Sequence, residues 1–262
     1  MTKLFHEELS YTVRGVLIDV HNKLGSTLPE KFYQEAITYG LRQQGITCTP
    51  EQRFEVIYRN LPVGAYYIDH WLENGKILLE IKVTPQILPI HQAQAISYLK
   101  LTNADLAIVA NFGENLFQDK RLPNFLRNQT AKFKWQSRLF QNLPYSESLK
   151  CLDTALQQVH FFLGSGFIHR VYRQALMIEL QYQNLNYEPI SKIPIYYQNQ
   201  FLGMQAVQVI KIENEVLLGA FAVKNINEAM ELKMKKLLKY FSVKLGVLAN
   251  FYGEQLKIVV VQ

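Results

Sequence analysis

A chain of 262 residues that is 48% hydrophobic and 19% charged has the composition of a folded protein and the length of two ordinary domains, which excludes an extended disordered chain. Its 28 basic and 22 acidic residues leave a net charge of +6, which suits a polyanionic partner without requiring one. Two distant cysteines, Cys48 and Cys151, exclude a zinc ribbon or a cysteine-ligated iron–sulfur cluster within the chain. No apolar run nears the roughly 20 residues of a membrane span, and no basic-then-apolar export signal heads the chain, so the expected location is the cytoplasm.

In residues 7–24, Leu9, Val13, Val16, Leu17, Val20 and Leu24 recur at the spacing of one helix face. Gly25 ends that helix. A second helix is predicted from about Thr27, through Tyr33, Ile37 and Leu41, to Gly45. Residues 52–60, 63–73 and 76–83 read as three strands of an antiparallel meander, with turns at Asn60-Leu61-Pro62 and Asn74-Gly75; Asn-Gly is a strong hairpin signal.

Side chains alternate along a strand, so Tyr67, Asp69 and Trp71 share one face, as do Leu78, Glu80 and Lys82. The opposite row, Ile77, Leu79, Ile81 and Val83, is apolar and must pack on a core. Asp69, Glu80 and Lys82 can therefore converge across the hairpin. Two carboxylates with a lysine suit metal-assisted phosphodiester cleavage, which needs hard oxygen ligands and a cation near the attacking water. A solvated strand face or a salt bridge would show the same residue types.

After Pro85 and Pro89 a helix is predicted over 90–101, then a buried strand at Leu106–Ala110 and a possible strand near Leu116. The order ααβββαβ indicates one α/β layer domain. Residues 126–143 read as a connector within a wider basic stretch over 119–150, with Lys120, Arg121, Arg127, Lys132, Lys134 and Arg138; a solvated segment is the commoner reading of such a stretch, and Phe133, Trp135 and Phe140 point instead to packing. Charge is uneven along the chain. Twelve basic residues stand against 13 acidic in 1–125, five against one in 126–150, and 11 against eight in 151–262.

Residues 144–262 repeat 1–125 at a shift of 139. Val20-His21 becomes Val159-His160, Leu24-Gly25-Ser26 becomes Leu163-Gly164-Ser165, and Tyr33 becomes Tyr172. Ala110-Asn111-Phe112 becomes Ala249-Asn250-Phe251. The register predicts a tandem duplication in which both copies share one fold. It sets Gln208 opposite Asp69, Gly219 opposite Glu80 and Phe221 opposite Lys82, so the second copy lacks the charged trio. An apolar sister face argues that the trio is enclosed, and enclosed carboxylates need a cation or a specific pairing.

The first copy resembles the GxxExxY proteins, a prokaryotic group of the PD-(D/E)XK nuclease superfamily. The residues carrying the likeness are Val20-His21, Leu24-Gly25, Glu30-x-x-Tyr33, Asp69, Glu80-x-Lys82, His91-x-x-Gln94-x-x-x-Tyr98-Leu99 and Asn111-Phe112-Gly113. The group's name glycine is Thr27 here, and Thr27-x-x-Glu30 is also a capping-box pattern. The resemblance implies two tandem nuclease-like domains, each a mixed sheet flanked by helices, with Asp69, Glu80 and the carbonyl of Ile81 as Mg²⁺ or Mn²⁺ ligands. Lys82 would orient water and stabilise the growing charge. Gln94 and Tyr98 match a motif of relatives that act on DNA, and Glu30 joins the site. Lys233, Lys235, Lys236, Lys239 and Lys244 lie along a predicted helix of the second copy, and Lys233, Lys236 and Lys239 are candidate nucleic-acid contacts. Two expectations compete: a nuclease with an active first copy, or a binding scaffold of two pseudo-nuclease domains.

Overall fold

The computed structural model describes residues 5–125, 146–253 and 255–262. It has two compact units, one of Met1–Val56 with Ala65–Ala131, the other of Ile57–Gly64 with Lys132–Gln262. The basic residues at 127–138 and their neighbouring aromatics lie outside the described residues. Lys120 and Arg121 belong to a strand instead.

The first copy runs α1 (Glu7–Leu24), α2 (Glu30–Gln43), β1 (Cys48–Tyr58), β2 (Leu61–Leu72), β3 (Ile77–Lys82), α3 (Pro89–Thr102), β4 (Leu106–Asn111) and β5 (Gln118–Pro123). Its sheet has the order β1-β2-β3-β4-β5. β2 and β3 pair antiparallel, β3 and β4 parallel, and β4 and β5 antiparallel. The parallel pair is reached through α3, as a crossover requires. The second copy repeats the pattern with α4 (Ser146–Leu163), α5 (His169–Tyr182), β6 (Tyr187–Tyr197), β7 (Gln200–Ile212), β8 (Val216–Phe221), α6 (Glu228–Phe241), β9 (Leu245–Asn250) and β10 (Lys257–Val261), and its sheet is ordered β10-β9-β8-β7-β6. Both copies are thus mixed five-stranded sheets flanked by helices, with one strand more than the order ααβββαβ.

The apolar row of β3 packs as its alternation requires. Ile77, Leu79 and Ile81 join Val13, Leu17, Tyr33, Ile37 and Leu41 of α1 and α2 in one core. Leu78 turns the other way, onto Ala95, Tyr98 and Leu99 of α3. Glu80 and Lys82 share the Leu78 face by alternation, at the strand's far end.

Matching side chains tie both copies. Tyr33 Oη donates to the Gly25 carbonyl at 2.7 Å and stacks on Phe112; Tyr172 Oη donates to the Gly164 carbonyl at 2.7 Å and stacks on Phe251. Asn111 Nδ2 donates to the Thr84 carbonyl at 2.8 Å, and Asn250 Nδ2 to the Val223 carbonyl at 2.7 Å. His21 and His160 each meet a carbonyl, of Glu114 and Gly253. These shared residues hold the strand ends and helix ends of the fold.

Local boundaries differ from the sequence expectation in three places. α2 starts at Glu30 with Pro29 as its N-cap and no side-chain cap, so the Thr27–Glu30 capping box does not form; Pro29 fixes φ for a helix entry and leaves Glu30 free to face the sheet. The first strand begins at Cys48, before the expected residue 52. The hairpin closes through a 3-10 turn over Glu73–Gly75, with Asn74 at φ 54° and Gly75 at φ 95°, wider than a two-residue turn.

Candidate active site

The antiparallel register of β2 and β3, with His70 opposite Leu79, carries on to set Asp69 across from Glu80. Asp69 Oδ2 accepts from the Ile81 amide at 2.6 Å, and its Oδ1 accepts from Gln34 Nε2 at 3.1 Å. Gln34 lies four residues after Glu30 on one face of α2, and its Nε2 is also 3.4 Å from Glu30 Oε1. One amide thereby ties two carboxylates together. Lys82 donates from Nζ to Glu80 Oε1.

Glu80 is 2% exposed. Its Oε2 is buried with no hydrogen-bond partner among the described residues. A bare carboxylate oxygen out of water is costly. Burial pushes the Glu80 carboxyl above the ordinary carboxylate range and the charge of Asp69 pushes it further, while Lys82 opposes both. Burial likewise raises Asp69; the Ile81 amide opposes this, and Glu30 adds to it. Two buried carboxyls, both raised, beside a single lysine form a site with an appetite for positive charge.

Tyr98, on α3 and nearly buried, receives a hydrogen bond from Gln94 Nε2 at 2.7 Å. Burial, then the nearby Glu80 charge, holds its phenol neutral well past the usual range. His91 spends Nδ1 on the Leu88 amide at 3.2 Å. Burial and then Lys82 lower its pKa. The sequence-expected residues Glu30, Asp69, Glu80, Lys82, Gln94 and Tyr98 thus sit in one neighbourhood of side-chain contacts and electrostatic influence. From Ile81 the contact seen is its amide on Asp69.

Two residues escaped the sequence reading. Gln34 was detectable only as a polar residue one turn after Glu30, since its contact with Asp69 depends on how α2 meets the sheet. His70, fully buried on the face of β2 opposite Asp69, places Nε2 3.1 Å from the Gln34 carbonyl and 2.9 Å from Thr38 Oγ1. It fastens α2 to β2 behind Asp69, and burial lowers its pKa to about 4.

Among the described residues no three His, Cys, Asp or Glu side chains are gathered as a metal cage. The donor set still fits a hard dication, because Mg²⁺ is commonly held by one or two carboxylates, with waters completing the shell. The orphaned Glu80 Oε2 is the atom such an ion would satisfy.

At the matching place in the second copy, a Cβ on Gly219 would come within 2.7 Å of the Phe221 ring. That ring occupies the space that a side chain at 219 would need. Gln208 takes the place of Asp69 on a strand with an irregular register and has φ 59°. On α6, Lys235, Lys236 and Lys239 join Leu232, Leu238, Val243 and Lys244 around an open depression of about 610 Å³. Lys233 points elsewhere, toward the Ala206 carbonyl at 3.4 Å. The five lysines therefore do not form one row.

A family model described as the PD-(D/E)XK nuclease superfamily matches residues 7–122 and 146–260. No curated protein matches. Among solved structures, one described as "Crystal structure of SSO0001" is similar at 15% identity with a TM-score of 0.30, over 43% of this chain. The matched part is 62% of that solved chain. At that score the likeness carries no argument. No helix of the described residues is long and apolar enough to cross a membrane.

Proposed function

The chain belongs to the PD-(D/E)XK nuclease superfamily, and from that membership we propose that its first copy is a metal-dependent nuclease of the GxxExxY type that hydrolyses phosphodiester bonds, of DNA by preference, in the cytoplasm. The observation that carries the reading is the buried, unpartnered Oε2 of Glu80 beside Asp69 and Lys82. Asp69 and Glu80 would hold Mg²⁺ or Mn²⁺, with the Ile81 carbonyl as a further oxygen. When bound, the ion supplies Lewis acidity that lowers the pKa of water and offsets charge on the phosphate.

The chain's own groups do the rest. Lys82 orients the attacking water and meets the negative charge that grows on the phosphoryl oxygens. Gln94 and Tyr98 offer neutral donors to the phosphate from α3. Gln34 keeps Glu30 and Asp69 at fixed separation, and α2 is steadied from behind by His70. The second copy, without acids at 208 and 219, cuts nothing and supports nucleic-acid binding, with Lys236 and Lys239 at the lysine-rimmed depression and Lys233 as a separate contact.

A second reading has its own support. Both oxygens of Asp69 are already engaged, by Ile81 and Gln34, as they would be in a non-catalytic nucleic-acid- or protein-binding scaffold. Incubating the full chain with labelled single- and double-stranded DNA and RNA, with Mg²⁺, Mn²⁺ or chelator, separates the two. A nuclease cuts only with metal, and Asp69→Ala or Glu80→Ala ends the cutting while binding persists. Absence of metal-stimulated cutting on every substrate would leave the scaffold.

A further inference from the structure

We propose that the second copy carries a phosphate-binding site where the first gathers its acids, formed by Arg170, Arg173, His169 and Lys233 and filled by the backbone of a polynucleotide. The proposal rests on the reading of the chain as one that acts on nucleic acid. The shift of 139 sets His169 opposite Glu30, Arg170 opposite Lys31, Arg173 opposite Gln34 and Lys233 opposite Gln94. Where the first copy holds a carboxylate and the amide that binds it, the second holds an imidazole and a guanidinium.

Three of these groups share a helix face. His169 and Arg173 are four apart on α5, and Arg170 and Arg173 three apart, so all three lie on one helix face. From α6, Lys233 extends to the Ala206 carbonyl, two residues from Gln208 at the position of Asp69. Arg173 is only partly exposed. Burial, then the charge of Arg170, lowers its pKa, and among the described residues no carboxylate acts on it to the opposite effect. The ion pairs of this unit among the described residues are Arg59–Glu179, Lys150–Glu147 and Lys211–Glu188, none of which involves either arginine.

A half-buried guanidinium beside a second cation, with no acid to answer it, is unfavourable. The fold does not demand it, since the first copy places a neutral amide at the same position. An external anion accounts for the pair. Two guanidinium forks present paired N–H donors in the geometry of phosphate oxygens, the imidazole of His169 on the same helix face extends the donor set, and the register brings Lys233 to it from α6. The same chemistry would accept inorganic phosphate, so the two sources must be told apart.

The test uses the full chain in EDTA, so that binding is read without cleavage. Fluorescence anisotropy of a fluorescein-labelled 20-mer duplex is measured against salt for wild type, Arg170→Gln, Arg173→Gln and the double variant, with inorganic phosphate as competitor. The expected result is affinity about tenfold weaker per arginine, and a log-affinity against log-salt slope shallower by roughly 0.9 for each lost phosphate contact. Arg173→Gln should melt no lower than wild type, because it relieves an uncompensated charge; a lower melting temperature would make Arg173 structural and overturn the proposal. Arg170 is exposed, so its variant tests the site apart from any folding defect. Unchanged duplex affinity and slope in the double variant overturn it, and so does a site that answers to inorganic phosphate while duplex affinity stays unchanged. A chain that binds duplex through these arginines but cuts nothing with Mg²⁺ or Mn²⁺ rejects the nuclease reading and leaves the phosphate site standing.

Discussion

The buried acid pair makes metal binding and proton binding competitors, and the competition can be read as stability. A carboxyl whose folded pKa is raised favours the folded state when protonated. Its contribution is full below the unfolded value and is lost as pH rises through the folded one. For Asp69 and Glu80, both raised by burial, the metal-free chain loses that support between the ordinary carboxylate range and neutrality. A dication restores it by displacing the protons. At a free metal concentration of 100 times Kd the stabilisation is about 2.7 kcal/mol. For a chain of this size that is about 5–10 °C in Tm. Each displaced proton costs the metal about tenfold in apparent affinity per pH unit below the raised pKa, so a thousandfold loss by pH 5 leaves about 0.1 kcal/mol or less. The assay is thermal melting with Mn²⁺ or EDTA at pH 5 and pH 8, for wild type and for Asp69→Asn/Glu80→Gln. A large shift at pH 8 that vanishes at pH 5 and in the variant is the expected result. An equal shift at both pH values, or an undiminished one in the variant, would refute the reasoning.

Three further outcomes follow from neighbouring groups. His70, held neutral by burial with a pKa lowered to about 4, gives stability that is present above its unfolded value and lost as pH falls from 6.5 toward 4, about 3 kcal/mol in all; His70→Gln should flatten that acid limb in denaturant titrations. Lys82→Met should abolish cutting while leaving duplex affinity within about threefold, since one cation among many contributes little to backbone binding; gel-based cleavage and anisotropy read the two separately. Gly113→Ala should destabilise by about 1–3 kcal/mol, because its Cβ would lie 2.3 Å from the Thr84 amide nitrogen, and calorimetry on the full chain would detect it.

Periodicity and duplication carried most of the fold. The apolar row from Ile77 to Ile81 could only face a core, and one register at a constant shift of 139 fixed the second copy from the first. The contacts that shape the site were not visible in that way. Gln34 meets Asp69 across 35 positions of sequence, which no spacing rule encodes. The capping box read at Thr27-x-x-Glu30 gave way to Pro29 as the N-cap of α2, a local detail that the pattern obscured. The lysines of α6 read as one basic helix face, whereas Lys233 reaches the Ala206 carbonyl and Lys235, Lys236 and Lys239 border the depression.

The aromatic ring lodged over Gly219 couples two positions of the second copy. Any larger residue at 219 would strike the Phe221 ring. An acid could stand at 219 only once that ring had swung aside, so the two positions must change together, and a single substitution at 219 gives this copy no carboxylate of the kind Glu80 supplies.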